Sequence, residues 1–479
     1  MTRPLTIHNQ TSHALELKPI ELCEDPSSKV AVNGTGIFGN WTKSANSSTS
    51  FAPSTLNLGE HAQGFSRQDV NILIEPFKSH STNISISSNS STPVVRLTIE
   101  SKGQRYRIDM LWSKTQSQTF TPLVPDPKHQ YIAIFLPETH LSIYSSANLS
   151  TWMEALQDNT PISGLSIPGT HNTPTYHKAL PSVRCQAVSP KLQLENGIRF
   201  FDIRVQPEHA TDISKDGLIL VHGVFPISLT GTKYLRPLIN TALDFLARNP
   251  SETLIMSLKR EGAGSATDQH LSQILHSHYA NDASKWYTEP RIPTLGEARG
   301  KIILLRRFLL HPSLQQLHNG RGWGLNAENW AYNTPHDIHG DVCVQDFCEV
   351  LEPSSISAKI TYSKTHLAAA GATFCPLPGI TTDKDNPVPP GPLYLNFLSG
   401  SNFWNRACWP GRIAKSVNPA MIRYLCEDHC REEEGMEVGD GGTGVVVCDW
   451  VGGGGDWDLV RCIVGMNSRM EVRKNMMVR

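Results

Sequence analysis

Over the first 145 or so residues, apolar and polar positions alternate in short runs: Leu5–Ile7, Leu15–Leu22, Val70–Ile74, Val94–Ile99, Tyr106–Leu111 and Tyr131–Leu136. No window of about 12 residues there keeps a helical period. Short alternating runs between clusters of Ser, Thr and Asn predict an antiparallel β-sandwich. The stretches 44–50 and 79–92 read as long polar loops.

From Asn148 the pattern changes, and a domain boundary is placed there, giving a β-rich domain over 1–147 and a second domain over 148–479. Ser150 offers an N-cap for a helix through Gln157, with Glu154 close behind it. Beyond it, strand-like runs ending at His171, around Asp202, at His222, over Leu254–Leu258 and over Lys301–Arg307 alternate with helical patterns around 191–196, 232–248 and 266–278. This alternation predicts parallel strands joined by crossover helices. About 330 residues suffice for one (β/α) barrel, which needs about 250. Later runs at 340–346, 392–400 and 444–450 again read as strands ending in polar residues, and Gly452–Gly455 reads as a turn.

Composition narrows the function classes. A net charge of -1 over 479 residues gives no global field toward nucleic acid or an anionic bilayer. No run approaches the roughly 20 apolar residues of a membrane-spanning helix, and the N-terminal sequence lacks the apolar core of a signal peptide. The expectation is a soluble intracellular protein with at most a local, apolar membrane contact. Its ten cysteines, scattered and without a leader, are expected as reduced thiols. Cys426, His429 and Cys430 lack a second pair at zinc-finger spacing, so a thiol pair on a helix or loop is the simpler reading. The sequons at Asn33, Asn40, Asn83 and Asn148 read as surface asparagines.

The chemistry concentrates in three strand ends. Leu165-Ser-Ile-Pro-Gly-Thr-His171-Asn172-Thr173 and Leu218-Ile-Leu-Val-His222-Gly223 each place a histidine after an apolar run, and Asp202 and Arg204 share one face of the run between them. Two imidazoles and a guanidinium supply a base, an acid and a fixed cation, the requirements of proton-relayed transfer at phosphorus. Single strand-end histidines are often just satisfied core residues; two of them flanking an Asp-x-Arg strand favour catalysis.

The order SIPGTHN, RFFDIR, LVHG and Pro250-Ser-Glu-Thr-Leu-Ile-Met-Ser-Leu-Lys259-Arg-Glu261 resembles the X-domain of phosphatidylinositol-specific phospholipases C, especially the small metal-independent bacterial type, over roughly residues 151 to 465. The resemblance implies an incomplete or distorted TIM-type barrel. It implies His171 as general base on the inositol 2-hydroxyl, His222 as general acid to the diacylglycerol oxygen, and products diacylglycerol and inositol 1,2-cyclic phosphate. Arg204 matches a phosphate-binding arginine where calcium-dependent relatives carry an acidic ligand, and Asp202 is placed to brace it or a histidine. Asp449, in Val-Val-Cys-Asp-Trp, matches the carboxylate partner of the base, while Lys259, Arg307 and Asp346 match inositol contacts. No cofactor and no metal are implied. Two departures stand out: Asn172 replaces the Asp of the bacterial pattern, and Cys348 stands where that pattern has an aromatic platform. Asn172, Asp202 and Glu261 leave a weak calcium site open, although Arg204 would repel a divalent ion. Phe403, Trp404 and Trp409 are candidates for a bilayer interface, a lid or core packing. Two other readings remain: a phosphodiesterase on another diester, and a non-catalytic lipid- or glycan-binding protein.

Overall fold

The computed structural model describes residues 4–23, 65–82, 94–111, 116–136, 140–145, 148–378, 382–383, 385, 388–429 and 441–470. Asn33, Asn40, Asn83, Cys430 and the stretch 44–50 lie outside them. Contacts divide the chain into two units, Met1–Ser146 and Ala147–Arg479.

In the first unit a five-stranded and a six-stranded sheet share one apolar cluster, with Ile7, Tyr131, Phe135 and Leu141 from one and Leu15, Leu97, Tyr106 and Met110 from the other. The sheets are not wholly antiparallel, because Thr6–Asn9 pairs parallel to His140–Ser145. Ser79–Ser81, expected as loop, is instead a strand. It, Phe65–Gln68 and Gln116–Thr119 lie at sheet edges, where ladder hydrogen bonds order a polar segment that no alternating pattern announces.

The second unit is a curled sheet built from β1 (Ile167–Thr170), β2 (Phe200–Pro207), β3 (Leu218–His222), β4 (Leu254–Arg260), β5 (Ile302–Arg307), β6 (Val342–Gln345), β7 (Leu393–Phe397) and β8 (Val445–Cys448). Seven of these run parallel in the order β5-β4-β2-β1-β8-β7-β6. The helices are α1 (Pro190–Glu195), α2 (Leu235–Arg248), α3 (Asp268–His278), α4 (Ser355–Gly371), α5 (Pro410–Glu427) and α6 (Asp458–Gly465), with shorter turns between. Runs such as Ile302–Leu305 and Val445–Cys448 are buried throughout, as strands in a helix-covered parallel sheet must be. Among the described residues no ladder joins β5 or the short strand Leu325–Asn326 beside it to β6. The seam is bridged by Asp341, whose N–H donates to the Asn326 carbonyl at 3.0 Å and whose carboxylate accepts from the Asn326 N–H at 2.7 Å.

Two expectations need correcting. β3 is not a parallel wall strand: it doubles back antiparallel on the far end of β2, with Val205 opposite Leu220. This return is what carries His222 to the mouth. The segment after Asn148 is a series of turns and not a helix. Its Ser150 carbonyl, which a helix capped there would spend on its own ladder, accepts from the buried Arg199 guanidinium at 2.8 Å, as does the Leu149 carbonyl at 3.3 Å. Arg199 is in turn paired with the buried Glu252, Nε to Oε2 2.9 Å.

Candidate active site

Strand register assembles the site. Thr170 pairs with Phe201 and with Cys448, so the next residues, His171, Asp202 and Asp449, emerge at one level. His171 Nδ1 and Asp449 Oδ1 meet at 2.9 Å. One step further, the register aligns Arg204 with Lys259 and Lys259 with Arg307, laying three cations in a row across β2, β4 and β5. Gly169 is required by close approach, since a Cβ there would meet the Phe200 side chain at 2.9 Å. Asn172 holds a left-handed conformation, φ 41°, which Asn tolerates better than most residues; its N–H donates to Asp202 at 3.2 Å.

These residues open into a cavity of about 570 Å³ lined by His171, Asn172, Arg204, His222, Lys259, Glu261, Arg307, Trp330, Asp346 and Cys348, among others. The two imidazole rings lie 5.8 Å apart, centroid to centroid, and nearly perpendicular. His222 Nδ1 faces the Val183 carbonyl at 2.8 Å, so that nitrogen carries a proton and Nε2 is the one left for proton exchange. In the same way, Asp449 fixes the proton of His171 on Nδ1. His171 Nε2 then accepts from the Asn172 amide at 3.1 Å.

Charge is balanced tightly. Arg204 donates to both oxygens of the buried Asp202 (Nε 3.1 and 3.2 Å, Nη2 2.9 Å) and, through Nη1, to Glu261. Glu261 also accepts from Lys259 at 3.1 Å and from the Gly223 N–H at 3.0 Å. Burial by itself would lift the Asp202 carboxyl; Arg204, then Arg307 and His171, hold it down to about 2. Arg307 is pushed down to about 10 by burial and by Arg204, against the pull of Asp202 and Asp346. Its guanidinium stacks 3.7 Å from the Trp330 ring centre, and Trp330 Nε1 donates to Asp346 at 3.0 Å. Burial opposes the cationic form of His171, but Asp449 and then Cys185 outweigh it and raise its pKa well above the ordinary imidazole value. His222 is raised too: burial opposes the charge, Cys185 more than compensates, and His171 partly offsets the gain.

The fold thus brings His171, Asn172, Asp202, Arg204, His222, Lys259, Arg307, Asp346 and Asp449 to one cavity or its immediate wall. Cys185 and Trp330 carried no signal along the sequence. Cys185 sits in the 174–188 loop, which folds back so that Val183 and Cys185 meet His222 and Gln186 donates to the His171 carbonyl at 2.7 Å. Cys348 lines the cavity, and the aromatic residues that line it are Trp330, Tyr332 and Phe403. Phe403 lines the cavity and stacks on Phe225 at 5.0 Å; Trp404 is 90% exposed, and Trp409 donates to the Phe403 carbonyl at 3.2 Å.

A family model described as phosphatidylinositol-specific phospholipase C, X domain, matches residues 158–308. A 1-phosphatidylinositol phosphodiesterase of Listeria monocytogenes is 33% identical over 248 residues, covering 49% of this chain and 73% of the relative. A protein of the same name from Staphylococcus aureus is 28% identical over 302 residues, covering 60% and 86%. A solved variant of the phosphatidylinositol-specific phospholipase C from S. aureus superposes with a TM-score of 0.51 at 23% identity, over 67% of this chain and 97% of that one. That likeness establishes a shared TIM-type barrel fold.

Proposed function

The chain belongs to the phosphatidylinositol-specific phospholipase C X-domain family, and from that premise we propose that it cleaves phosphatidylinositol-type lipids to diacylglycerol and inositol 1,2-cyclic phosphate without a metal. The observation carrying this reading is the pair of imidazoles 5.8 Å apart beside Arg204 in one cavity. His171 Nε2, freed from the Asn172 amide, takes the proton of the inositol 2-hydroxyl; that oxygen bonds to phosphorus. The bond from phosphorus to the glycerol oxygen breaks, and His222 Nε2 protonates the departing oxygen. Asp449 steadies the imidazolium formed at His171. Of the five N–H groups of Arg204, three are held by Asp202 and Glu261, which leaves two for the non-bridging oxygens. Lys259, Arg307 and Asp346 suit the ring hydroxyls.

The donor chemistry supports metal independence. Both oxygens of Asp202 and one of Glu261 already accept from guanidinium or ammonium groups. A calcium ion would have to evict Arg204 from an anionic pocket it neutralises.

A head-group panel assayed with and without EDTA, with phosphorus NMR of the products, tests the reading. Phosphatidylinositol should give cyclic phosphate at a rate that EDTA leaves unchanged. Loss of activity in EDTA, or turnover confined to sphingomyelin or glycerophosphodiesters, overturns it.

Asp449→Asn should shift the acidic limb of the pH–rate profile of kcat/KM downward. His171 must be neutral to act, and the carboxylate raises its pKa; without it the base frees itself at lower pH, while loss of imidazolium stabilisation lowers the plateau. A limb that stays in place or moves up contradicts the assigned pairing.

Large apolar side chains stand exposed around the mouth: Val224, Tyr332, Leu351 and Trp404 are 64%, 76%, 60% and 90% exposed, and Tyr332, Leu351 and Phe403 also line the cavity. We assign this rim to transient contact with the bilayer. Trp404→Ala should weaken partition onto neutral phosphatidylcholine vesicles by roughly tenfold or more, the scale of one large apolar side chain leaving water, with turnover of soluble inositol diesters unchanged.

A further inference from the structure

A second cluster of ligand-bearing side chains lies on the other side of β6 from the cavity. Cys343 and Gln345 alternate onto the face covered by α4, where Gln345 donates to Ser363 at 3.3 Å and accepts from Lys359 at 3.1 Å. Asp346 and the cavity lie opposite. On the covered face, His366 of α4 is 2% exposed and its Nε2 has no hydrogen-bond partner. Cys343 is 1% exposed. Its Sγ is 3.9 Å from Nδ1 of His336, a surface residue one position before the short strand Asp337–His339. One ligand atom from each of His336, Cys343 and His366 lies within 4.8 Å of the other two.

We propose that His336, Cys343 and His366 form a site for a thiophilic divalent cation, zinc foremost, with water as the fourth ligand. Two imidazoles and a thiolate are a zinc donor set. Bond lengths of about 2.0 to 2.3 Å in tetrahedral array put neighbouring donor atoms roughly 3.3 to 3.8 Å apart, so the cluster needs only small side-chain shifts to close. A bare thiol–imidazole contact between Cys343 and His336 would leave the buried His366 Nε2 unsatisfied, which is costly; a metal satisfies it. A ligating thiol sheds its proton, so binding exchanges one thiol proton for the ion and tightens as pH rises. The exposed His336 provides the entry path.

The site bears on the cavity through chain connectivity. Residues 327–330 and Tyr332 line the cavity, and the loop ends at His336, whose N–H donates to Thr334 Oγ1 at 3.2 Å. An ion joining His336 to β6 and α4 pins the far end of the loop that carries Trp330.

The full chain, stripped with EDTA and dialysed, is titrated with Co²⁺ and then Zn²⁺. The active-site trio His171, Cys185 and His222 also brings three ligand atoms within 4.8 Å of one another, so Cys185→Ser is the control. The expected result is one equivalent of cobalt giving a thiolate charge-transfer band with tetrahedral d–d absorption, zinc displacing it and raising Tm. His336→Gln, altered at the surface so that the fold is kept, should lose the band and the zinc-dependent rise in Tm, while Cys185→Ser keeps both. A band that persists in His336→Gln, a band lost in Cys185→Ser, or no binding at micromolar metal overturns the proposal. A band lost in Cys185→Ser would place the ion on His171 and His222 instead, whereas loss in His336→Gln leaves the cleavage reading to its own EDTA assay.

Discussion

His222→Ala is expected to lower kcat on phosphatidylinositol by about 10²- to 10⁴-fold, the usual worth of one positioned proton transfer. The glycerol alkoxide is a poor leaving group, so without the acid the breaking bond has no proton to meet. The sharper test is the leaving group. On an inositol phosphate ester of nitrophenol, whose anion departs unprotonated, the variant should recover most of the loss, whereas His171→Ala, lacking the base, should stay slow on both substrates. An equal deficit on both substrates for His222→Ala would remove it from the acid's role. In this variant the Val183 carbonyl keeps only the weak Cys185 thiol donor, a cost of about 1 kcal/mol in stability that thermal unfolding separates from the kinetic effect.

Arg204→Leu should impair both stability and turnover. Asp202 is fully buried, and Arg204 is its principal counter-charge and that of Glu261. Removing one member of a buried ion network costs about 3–5 kcal/mol because the remaining charges stay uncompensated. Losing a fixed donor over the phosphate costs roughly 10²- to 10³-fold in kcat. The sign of the pH effect is definite. With its folded pKa depressed to about 2, Asp202 contributes stability that is fully present above its unfolded value near 3.9 and is lost as pH falls toward 2. With Arg204 gone, burial prevails, the Asp202 pKa rises, and acid denaturation should begin at higher pH. Arg204→Lys should recover part of the stability but little of the turnover, since a point charge cannot replace the fork that spans Asp202, Glu261 and substrate. A leucine variant as stable as the parent across this range would mean the carboxylates find other partners.

Local sequence was informative where chemistry and strand ends coincide. His171, Arg204, Lys259, Arg307 and Asp449 each follow or end an apolar run on a parallel strand, which delivers them to one rim; His222 also ends an apolar run but arrives on the antiparallel return of β3. The runs in β4, β5 and β8 announce themselves because both faces of each strand are buried. By contrast, Phe65–Gln68, Ser79–Ser81 and Gln116–Thr119 are polar edge strands held by pairing. In place of the helix expected after Asn148, turns aim the Leu149 and Ser150 carbonyls at Arg199, about 50 residues away in sequence.

The sequence by itself determined the parallel β/α character of the second unit, the family, and which charged residues stand at strand ends, because period and strand-end chemistry are properties of neighbours in the chain. Only the tertiary structure decided that β3 turns back along β2 to return His222 to the mouth, that Cys185 and Val183 reach it from a loop, that Trp330, Tyr332 and Phe403 line the same cavity as Cys348, and that His336, Cys343 and His366 converge behind β6. Those contacts join positions whose separation in sequence carries no periodic signal, and burial of the whole sheet, not any local preference, brings them within bonding distance.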